Sequence, residues 1–266
     1  IAGGVTPALR ALGDLYAQGL GVPRDLAEAR RLYERGAAGG DGWAAFSLAG
    51  LEVRAGRMRE ADRLYREALG LGVGAAGTAL GDLYAQGHAG LARDPGQAMR
   101  LYRQAADAGD AWSLLRLAEA YRKGEWVPAD PAKALDHYRR AAAAGLAAAD
   151  TALGDLYATG VGVAADPDEA IRLYQRAAAA GDSWASLRLG EAYRRGELVP
   201  VDIPQALAHF TTAAKAGNAA ARKRLGDLYA TGEGVARDPA AARRWYEMAA
   251  AADDPPIMIE VAMAYL

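Results

Sequence analysis

A repeat of about 36 residues runs through this chain of 266 residues and limits what it can fold into. Its most constant segment reads Leu-Gly-Asp-Leu-Tyr, as at residues 153–157. Tyrosines aligned on this segment recur every 36 or 37 residues, at Tyr84, Tyr121, Tyr157, Tyr193, Tyr229 and Tyr265. A second aromatic series keeps the 36-residue step, at Tyr102, Tyr138, Tyr174, Phe210 and Tyr246. A period of this length predicts a stack of similar supersecondary units rather than one globular core.

The constant segment lies in the first helix of each unit. In the best-defined copy this helix is predicted at about 148–159, because Leu153 and Tyr157 are spaced to share one helix face. Gly154 lies inside that helix, where glycine costs about 1 kcal/mol relative to alanine. The same glycine recurs at Gly13, Gly81, Gly190 and Gly226. We expect a packing reason for it, namely the close approach of a neighbouring backbone.

A second helix follows in each unit and has marked ends. It begins at Asp166-Pro167, since aspartate caps first-turn amides and proline suits the first helical position. The pair recurs at Asp94-Pro95, Asp130-Pro131 and Asp238-Pro239. Gly181 closes the helix, and Gly109, Gly145 and Gly217 are its equivalents in other units. Each unit is therefore predicted to be an antiparallel helix pair, and the chain an all-α, right-handed α-solenoid of stacked pairs.

A single array is expected to fill residues 1–266, with seven helix pairs and an eighth first helix. The predicted units lie near residues 7–42, 43–74, 75–111, 112–147, 148–183, 184–219, 220–254 and 255–266. The second unit is about four residues short, which predicts a tight turn at 55–60, and Glu52 replaces its tyrosine. The chain begins and ends inside helical patterns, so we expect it to be a fragment of a longer array.

The units alternate in a way that predicts a binding surface. Even units carry a tryptophan at the start of the first helix, whereas odd units have small or polar residues at the matching positions. First helices of such solenoids usually line a concave groove, and Trp and Arg are frequent binding hot spots. The predicted groove residues are Trp43, Phe46, Trp112, Leu115, Glu119, Arg122, Lys123, Trp184, Leu187, Glu191, Arg194 and Arg195.

Two alternatives to this groove stay open on the sequence. The tryptophans are equally compatible with plugs that fill gaps between helix pairs. The pairs Glu119–Lys123 and Glu191–Arg195 have the i,i+4 spacing of ordinary surface ion pairs, which is the interpretation we favour for them.

Composition excludes several classes of function. A net charge of −2 lacks the basic surplus of a nucleic-acid-binding protein. The absence of cysteine removes disulfides and thiolate chemistry, without choosing a compartment. No apolar run reaches about 18 residues, the length that would span a membrane, and no signal peptide is evident.

Catalytic and metal-binding patterns are also missing from the sequence. His137 and His209 lie 72 residues apart, on different units, so a shared metal is not expected. The repeated aspartates at Asp14, Asp82, Asp155 and Asp227 are too far apart for an acid–base pair and are interpreted as a solvated stripe. Glycine-rich segments such as 232–234 lack the strand and lysine of a phosphate loop. We expect no enzyme activity and no cofactor.

The assembled unit resembles the Sel1-like repeat, a relative of the tetratricopeptide repeat. The motif that carries the resemblance is Leu-Gly-x-x-Tyr-x-x-Gly-x-Gly-Val, then Asp, then Ala, Tyr, Ala-Ala and Gly, and it covers essentially the whole chain. The resemblance implies an adaptor or scaffold that holds other proteins together, in many cases bacterial and exported.

Two units carry a narrower resemblance. The segments 124–131 and 134–137, with 193–196, are similar to AlgK-like scaffolds, the periplasmic lipoproteins of bacterial alginate export. This resemblance implies a protein that bridges an exopolysaccharide-secretion complex and binds a partner enzyme or an outer-membrane porin.

Three hypotheses follow for function. The first is a non-catalytic, periplasmic protein-interaction scaffold in exopolysaccharide secretion. The second is a cytoplasmic or secreted regulatory adaptor with the same fold. The third is a carbohydrate-binding module, or an enzyme, that uses an aromatic and cationic groove. The sequence alone does not name the partner or the oligomeric state.

Overall fold

Fourteen α-helices occupy the residues that the computed structural model describes, 5–251. They are α1 (Val5–Gln18), α2 (Leu26–Ala38), α3 (Gly42–Arg54), α4 (Met58–Gly70), α5 (Gly74–Gln86), α6 (Pro95–Asp107), α7 (Ala111–Lys123), α8 (Pro131–Ala143), α9 (Ala147–Thr159), α10 (Pro167–Ala179), α11 (Ser183–Arg195), α12 (Ile203–Lys215), α13 (Ala219–Thr231) and α14 (Pro239–Ala250). No strand forms within 5–251, where an isolated bridge between His88 and Leu91 closes one loop. The all-α solenoid of helix pairs is confirmed, whereas the eighth first helix, near 255–266, lies outside the described residues.

Odd-numbered helices are the first members of pairs and are called A helices; even-numbered helices are the second members and are called B helices. The chain forms two compact units, residues 1–137 and 138–266. In each unit, an A helix packs on the B helix that follows it, and that B helix packs on the next A helix.

The ends of the helices follow the predicted signals. Asp166 accepts a hydrogen bond from the backbone amide of Glu169, and Pro167 is the first residue of α10. Beyond the same helix, Gly181 has a φ of +89°, which suits glycine because it has no Cβ. The predicted tight turn is also present. Only residues 55–57 join α3 to α4, whereas the corresponding loop between α5 and α6 is longer and covers residues 87–94.

The core of each unit is built from alanines and large side chains on facing helices. In the first unit Ala44, Ala49 and Ala61 have no exposed surface and surround Leu64 and Tyr65. In the second unit Ala213 and Ala221 surround Phe210. Small side chains let the helices approach closely, so the aromatic residue of each B helix reaches the A helix of its own pair.

The recurrent glycine of the A helix faces an aromatic ring, so the predicted backbone contact is wrong. A Cβ on Gly81 would lie 2.4 Å from Cε1 of Tyr102, and one on Gly154 would lie 2.5 Å from the same atom of Tyr174. Gly190 has the same relation to Phe210, at 2.5 Å. These distances are below van der Waals contact, so the glycine provides the space for the ring.

Replacing Gly81 by alanine is therefore expected to lower the free energy of unfolding by about 1–3 kcal/mol, because the Tyr102 ring must move. Gly50, in the interior of α3, is the matched control. A Cβ there would meet only the Tyr65 hydroxyl, at 3.9 Å. Gly50→Ala should raise stability by about 1 kcal/mol through helix propensity. Urea unfolding of both variants checks this, and equal effects of the two would contradict the packing role of Gly81.

Candidate functional site

The A helices of each unit expose one row of side chains to solvent. On α7 this row contains Trp112, Arg116, Glu119 and Lys123, whose spacing of four, three and four residues keeps them on one face. The surface formed by these rows is called the A face. Each unit has its own A face, carried by α1, α3, α5 and α7 in the first and by α9, α11 and α13 in the second.

The three repeat tryptophans are half exposed on the A face. Trp43 is 49% exposed, Trp112 is 50% exposed and Trp184 is 55% exposed. Each is the second residue of its helix and follows an aspartate N-cap. A residue that only filled a gap would place most of its ring in the core, as Tyr102 does with no exposed surface. The geometry therefore leaves half of each indole available for contact.

The other predicted apolar groove residues lie deeper. Leu115 and Leu187 are 8% and 5% exposed and belong to the core, so their assignment to the groove surface is corrected. Phe46 is partly buried and packs edge-on to Trp43, with ring centroids 5.5 Å apart. These side chains support the tryptophan-bearing helices and offer little surface of their own.

The predicted charged groove residues form ion pairs. Glu119 pairs with Arg122 at 2.7 Å, rather than with Lys123, its predicted partner. Glu191 pairs with Arg195 at 3.1 Å, as its spacing indicates. The guanidinium of Arg194 pairs with Glu233 at 3.1 Å. The arginines of this predicted cationic band are therefore largely neutralised by their neighbours, and Lys123 lies at the exposed end of α7.

The repeated aspartates form a structural network, so their interpretation as a solvated stripe is wrong. Asp82 accepts a hydrogen bond from the Tyr102 hydroxyl at 2.7 Å and two from Arg116 at 2.9 and 3.0 Å. Asp155 does the same with Tyr174 and Arg188, at 2.7 and 2.8 Å. Each carboxylate thus joins the B helix of its own pair to the next A helix of its unit.

Burial raises the pKa of the tyrosines in this network, and the hydrogen bond to the aspartate raises it further. The pKa values of Tyr33, Tyr102 and Tyr174 are all well above the ordinary 10.0. The phenols therefore remain neutral donors through the physiological range. The positive charge of Arg116 lowers the pKa of Tyr102. This effect is smaller than those of burial and of Asp82, so the pKa of Tyr102 remains raised.

The small polar residues of the odd units also have structural partners. Thr78 donates to Asp110 at 2.6 Å, and Asp110 also caps α7 by accepting from the Ser113 amide. Thr151 donates to Asp182 at 3.2 Å in the same arrangement. These threonines fix the start of the next A helix, which is where the exposed tryptophan stands.

Two of the three histidines lie in aromatic stacks. His137 stacks on Tyr121 with ring centroids 5.7 Å apart, and His209 stacks on Tyr193 at 5.6 Å. Burial lowers the pKa of His209 below its ordinary 6.5. Within residues 5–251 no three acidic or histidine side chains come together as metal ligands.

The part of the chain between residues 5 and 251 contains no helix with the length and apolarity needed to cross a bilayer.

Several solved bacterial structures have the same architecture. One is a protective antigen of uropathogenic Escherichia coli that displays an SLR fold, with 30% sequence identity and a TM-score of 0.68 over 98% of this chain and 56% of that chain. A Sel1 repeat protein from Oxalobacter formigenes has 29% identity and a TM-score of 0.68, over 92% and 84% of the two chains. This chain therefore spans little more than half the length of the first of these relatives.

A third similar structure supports the fold only. The immunity protein Pa5087 from Pseudomonas aeruginosa has 22% identity and a TM-score of 0.55, over 83% of this chain and 81% of its own. A comparison of the sequence with curated proteins gives no match.

The family profile of the Sel1 repeat matches most of the chain. The matched segments are residues 6–41, 76–110, 113–146, 147–182, 185–218 and 219–254. The shortened second helix pair falls in the interval between the first two matches. The helix pairs, their glycine-to-aromatic packing and these six matches together show that the chain belongs to the Sel1 repeat family.

Proposed function

We propose that this chain is a non-catalytic protein-interaction scaffold that binds partner proteins through the A face of each unit. Proteins of the Sel1 repeat family typically mediate protein–protein interaction. The observation that carries the proposal for this chain is the half exposure of Trp43, Trp112 and Trp184 at one repeat position. Large aromatic side chains with free surface are the residues that contribute most to protein interfaces.

The rest of the A face suits a rigid platform. The aspartate–tyrosine–arginine network ties α5 and α9 to their neighbouring helices, through Asp82 and Asp155. Threonine and aspartate side chains hold the tryptophan-bearing end of α7 and of α11. A surface that is ordered before binding loses less conformational entropy when a partner binds.

Truncating both Trp112 and Trp184 to alanine is expected to abolish capture of the partner in a pull-down from the source organism. Each truncation should weaken binding by about 2 kcal/mol, or about 30-fold, because each removes a half-exposed indole. Trp112 and Trp184 are each the second residue of a capped helix, and each is about half exposed to solvent. The helical circular dichroism should therefore be retained.

The matched control changes Val161 and Val201 to alanine together. Both are more than half exposed, but both lie in loops outside the A helices. This control should capture the partner as the unaltered chain does. Capture that survives in the tryptophan variant and is lost in the valine variant would place the interface away from the A face.

As the cellular setting we propose export to the periplasm and a place in an exopolysaccharide-secretion complex, with a secretion enzyme or outer-membrane porin as partner. The support is the resemblance of residues 124–131 to scaffolds of that kind. In the structure Trp126 of this segment stacks on Tyr102, with ring centroids 6.3 Å apart, so it also has a packing role. Fractionation of cells that express the intact gene product tests the compartment, and recovery in the cytoplasm would favour a regulatory adaptor instead.

A further inference from the structure

The helix α3 lacks the acidic residue that the neighbouring A helices use to satisfy a buried tyrosine. In the first and third pairs, Asp14 and Asp82 accept hydrogen bonds from Tyr33 and Tyr102, each at 2.7 Å. The equivalent position in the second pair is Gly50, which stands two residues after Leu48, as Asp82 stands two after Leu80. Its B helix still carries the tyrosine, as Tyr65.

The Tyr65 hydroxyl therefore remains a free donor. Among residues 5–251 it has no hydrogen-bond partner, and it is not sealed from solvent, although the side chain as a whole is 6% exposed. The space in front of it is open, because a Cβ on Gly50 would lie 3.9 Å from the hydroxyl and meet nothing closer. A recess thus lies where the other pairs place a carboxylate.

Aromatic rings form one side of this recess. The Phe46 ring lies 5.6 Å from the Tyr65 ring, and Trp43 lies 5.5 Å from Phe46 on its other side. Trp43 is the half-exposed member of this cluster. We call the surface formed by Trp43, Phe46, Gly50, Arg54 and Tyr65 the α3 recess.

The α3 recess also has an uncompensated positive charge. Trp43, Gly50 and Arg54 follow one another on the exposed row of α3, at intervals of seven and four residues. Arg54 is exposed, and no acidic side chain in the described part of the chain lies within ion-pair distance of it. Arg54 is close enough to Tyr65 for its charge to lower the pKa of the Tyr65 phenol. Burial raises that pKa and is the larger of the two effects.

This arrangement differs from the tryptophan-bearing helices α7 and α11. There the equivalents of Gly50 are Glu119 and Glu191, which pair with Arg122 and Arg195. Arg122 and Arg195 thus have carboxylate partners on their own helices, whereas α3 has a cation and a hydroxyl donor without one. A carboxylate from outside the chain is the group that complements both.

We propose that the α3 recess binds a segment of a partner polypeptide in which an apolar side chain is followed by an aspartate or glutamate; this rests on the proposed function as a protein-interaction scaffold. The carboxylate accepts a hydrogen bond from the Tyr65 hydroxyl and forms an ion pair with Arg54. The apolar side chain packs on the exposed half of Trp43.

The spacing of the two groups follows from the helix. Seven residues separate Trp43 from Gly50, which is about 10 Å along α3 at 1.5 Å per residue. An extended peptide covers that distance in about three residues, at about 3.3 Å each. The expected motif is therefore an apolar residue with an acidic residue three positions later.

Panning a display library of random linear heptapeptides on the purified chain tests this directly. Selected peptides are expected to contain the apolar and acidic residues at that spacing. Gly50→Asp is the decisive variant, because it restores the acid found in the first and third pairs, gives Tyr65 its missing acceptor and fills the recess. Binding of the selected peptides should fall at least about 10-fold in this variant, the loss expected for a hydrogen bond to a charged group.

Gly70→Asp is the matched control. It adds the same charge to the same unit, at the exposed end of α4, where a Cβ would meet nothing within 4 Å. Peptide binding should be unchanged in this variant. Arg54→Glu should weaken binding at least as much as Gly50→Asp, because it reverses the charge that faces the carboxylate.

Several outcomes would overturn the inference. Selected peptides without an acidic residue, no selection above background, or equal binding to the unaltered chain and to Gly50→Asp would each do so. If no peptide is selected, oligomannuronate is tested as a ligand. Binding of oligomannuronate to the unaltered chain, with weaker binding to Gly50→Asp, would identify a polysaccharide as the occupant instead. The proposed function fails separately, through the Trp112 and Trp184 variant, since neither residue belongs to the α3 recess.

Discussion

Replacing Tyr102 by alanine is expected to lower the free energy of unfolding of the first unit by about 3–5 kcal/mol, the range for removing a large aromatic side chain from a core. The ring has no exposed surface, lies against Gly81, and stacks on Trp126. Its hydroxyl donates to Asp82. The variant therefore leaves a cavity beside a helix glycine and removes one of the contacts between the two helices of its pair. Chemical denaturation followed by circular dichroism measures the loss.

Tyr102→Phe distinguishes the contribution of the Tyr102 ring to stability from that of its hydroxyl. This variant keeps the packing and removes the hydrogen bond to Asp82, for which we expect a loss of about 1–2 kcal/mol. Asp82 keeps Arg116 as a partner, which limits the cost. If phenylalanine destabilised the unit as much as alanine, the hydrogen bond rather than the filling of the space above Gly81 would hold the pair together.

Raising the pH above 10 is expected to unfold the chain steeply. Tyr33, Tyr102 and Tyr174 have folded-state pKa values raised above 10.0, mainly by burial and next by their aspartate partners. The unfolded chain therefore loses these protons first, so the stability they contribute is complete below pH 10 and is lost as the pH rises beyond it. Three such groups give a slope of about 4 kcal/mol per pH unit across the whole chain, at about 1.4 kcal/mol for each proton.

The control for this pH dependence changes all three tyrosines to phenylalanine. The triple variant should be less stable than the unaltered chain at pH 8, because three hydrogen bonds are lost. Its stability between pH 10 and 11.5 should fall much less steeply. Denaturant unfolding at a series of pH values, with phenolate absorbance at 295 nm as a second signal, compares the two chains, and parallel slopes would show that other groups cause alkaline unfolding.

Local sequence signals predicted the helices because they act within a few residues. The Asp166-Pro167 pair and Gly181 mark the ends of α10 correctly, since capping depends on adjacent backbone groups. The shortened turn at 55–57 was likewise visible as missing residues in one repeat. The half exposure of the tryptophans agrees with the alternation of the units, while their role as partner contacts stays a prediction.

Contacts between successive repeats were harder to predict. Arg116 lies 34 residues after Asp82 and Arg188 lies 33 after Asp155, and no local pattern joins them. Alignment of the repeats offered one signal, namely that an arginine of the next A helix recurs at this offset. Without this signal, the spacing of the aspartates alone indicates a solvated stripe.

The rotation of the helix explains the misplaced leucines. Successive residues advance by about 100°, so positions three and four after Trp112 diverge to opposite sides of it. Leu115 turns toward the core and Arg116 toward solvent, where it reaches Asp82. The predicted groove contained the third position, whereas the structure exposes the fourth. Leu187 and Arg188 repeat the same division after Trp184.

The five tryptophans provide the most direct test of the proposal that the A face binds proteins. Their indole N–H signals are separate probes in a ¹H–¹⁵N NMR spectrum. Trp43, Trp112 and Trp184 are half exposed on the A face, whereas Trp126 and Trp245 are partly buried and pack against the core. On addition of the captured partner, we predict that the first three signals shift or broaden while the other two remain in place. Changes confined to Trp126 and Trp245, or a bound partner that leaves the three A-face signals unaltered, would contradict it.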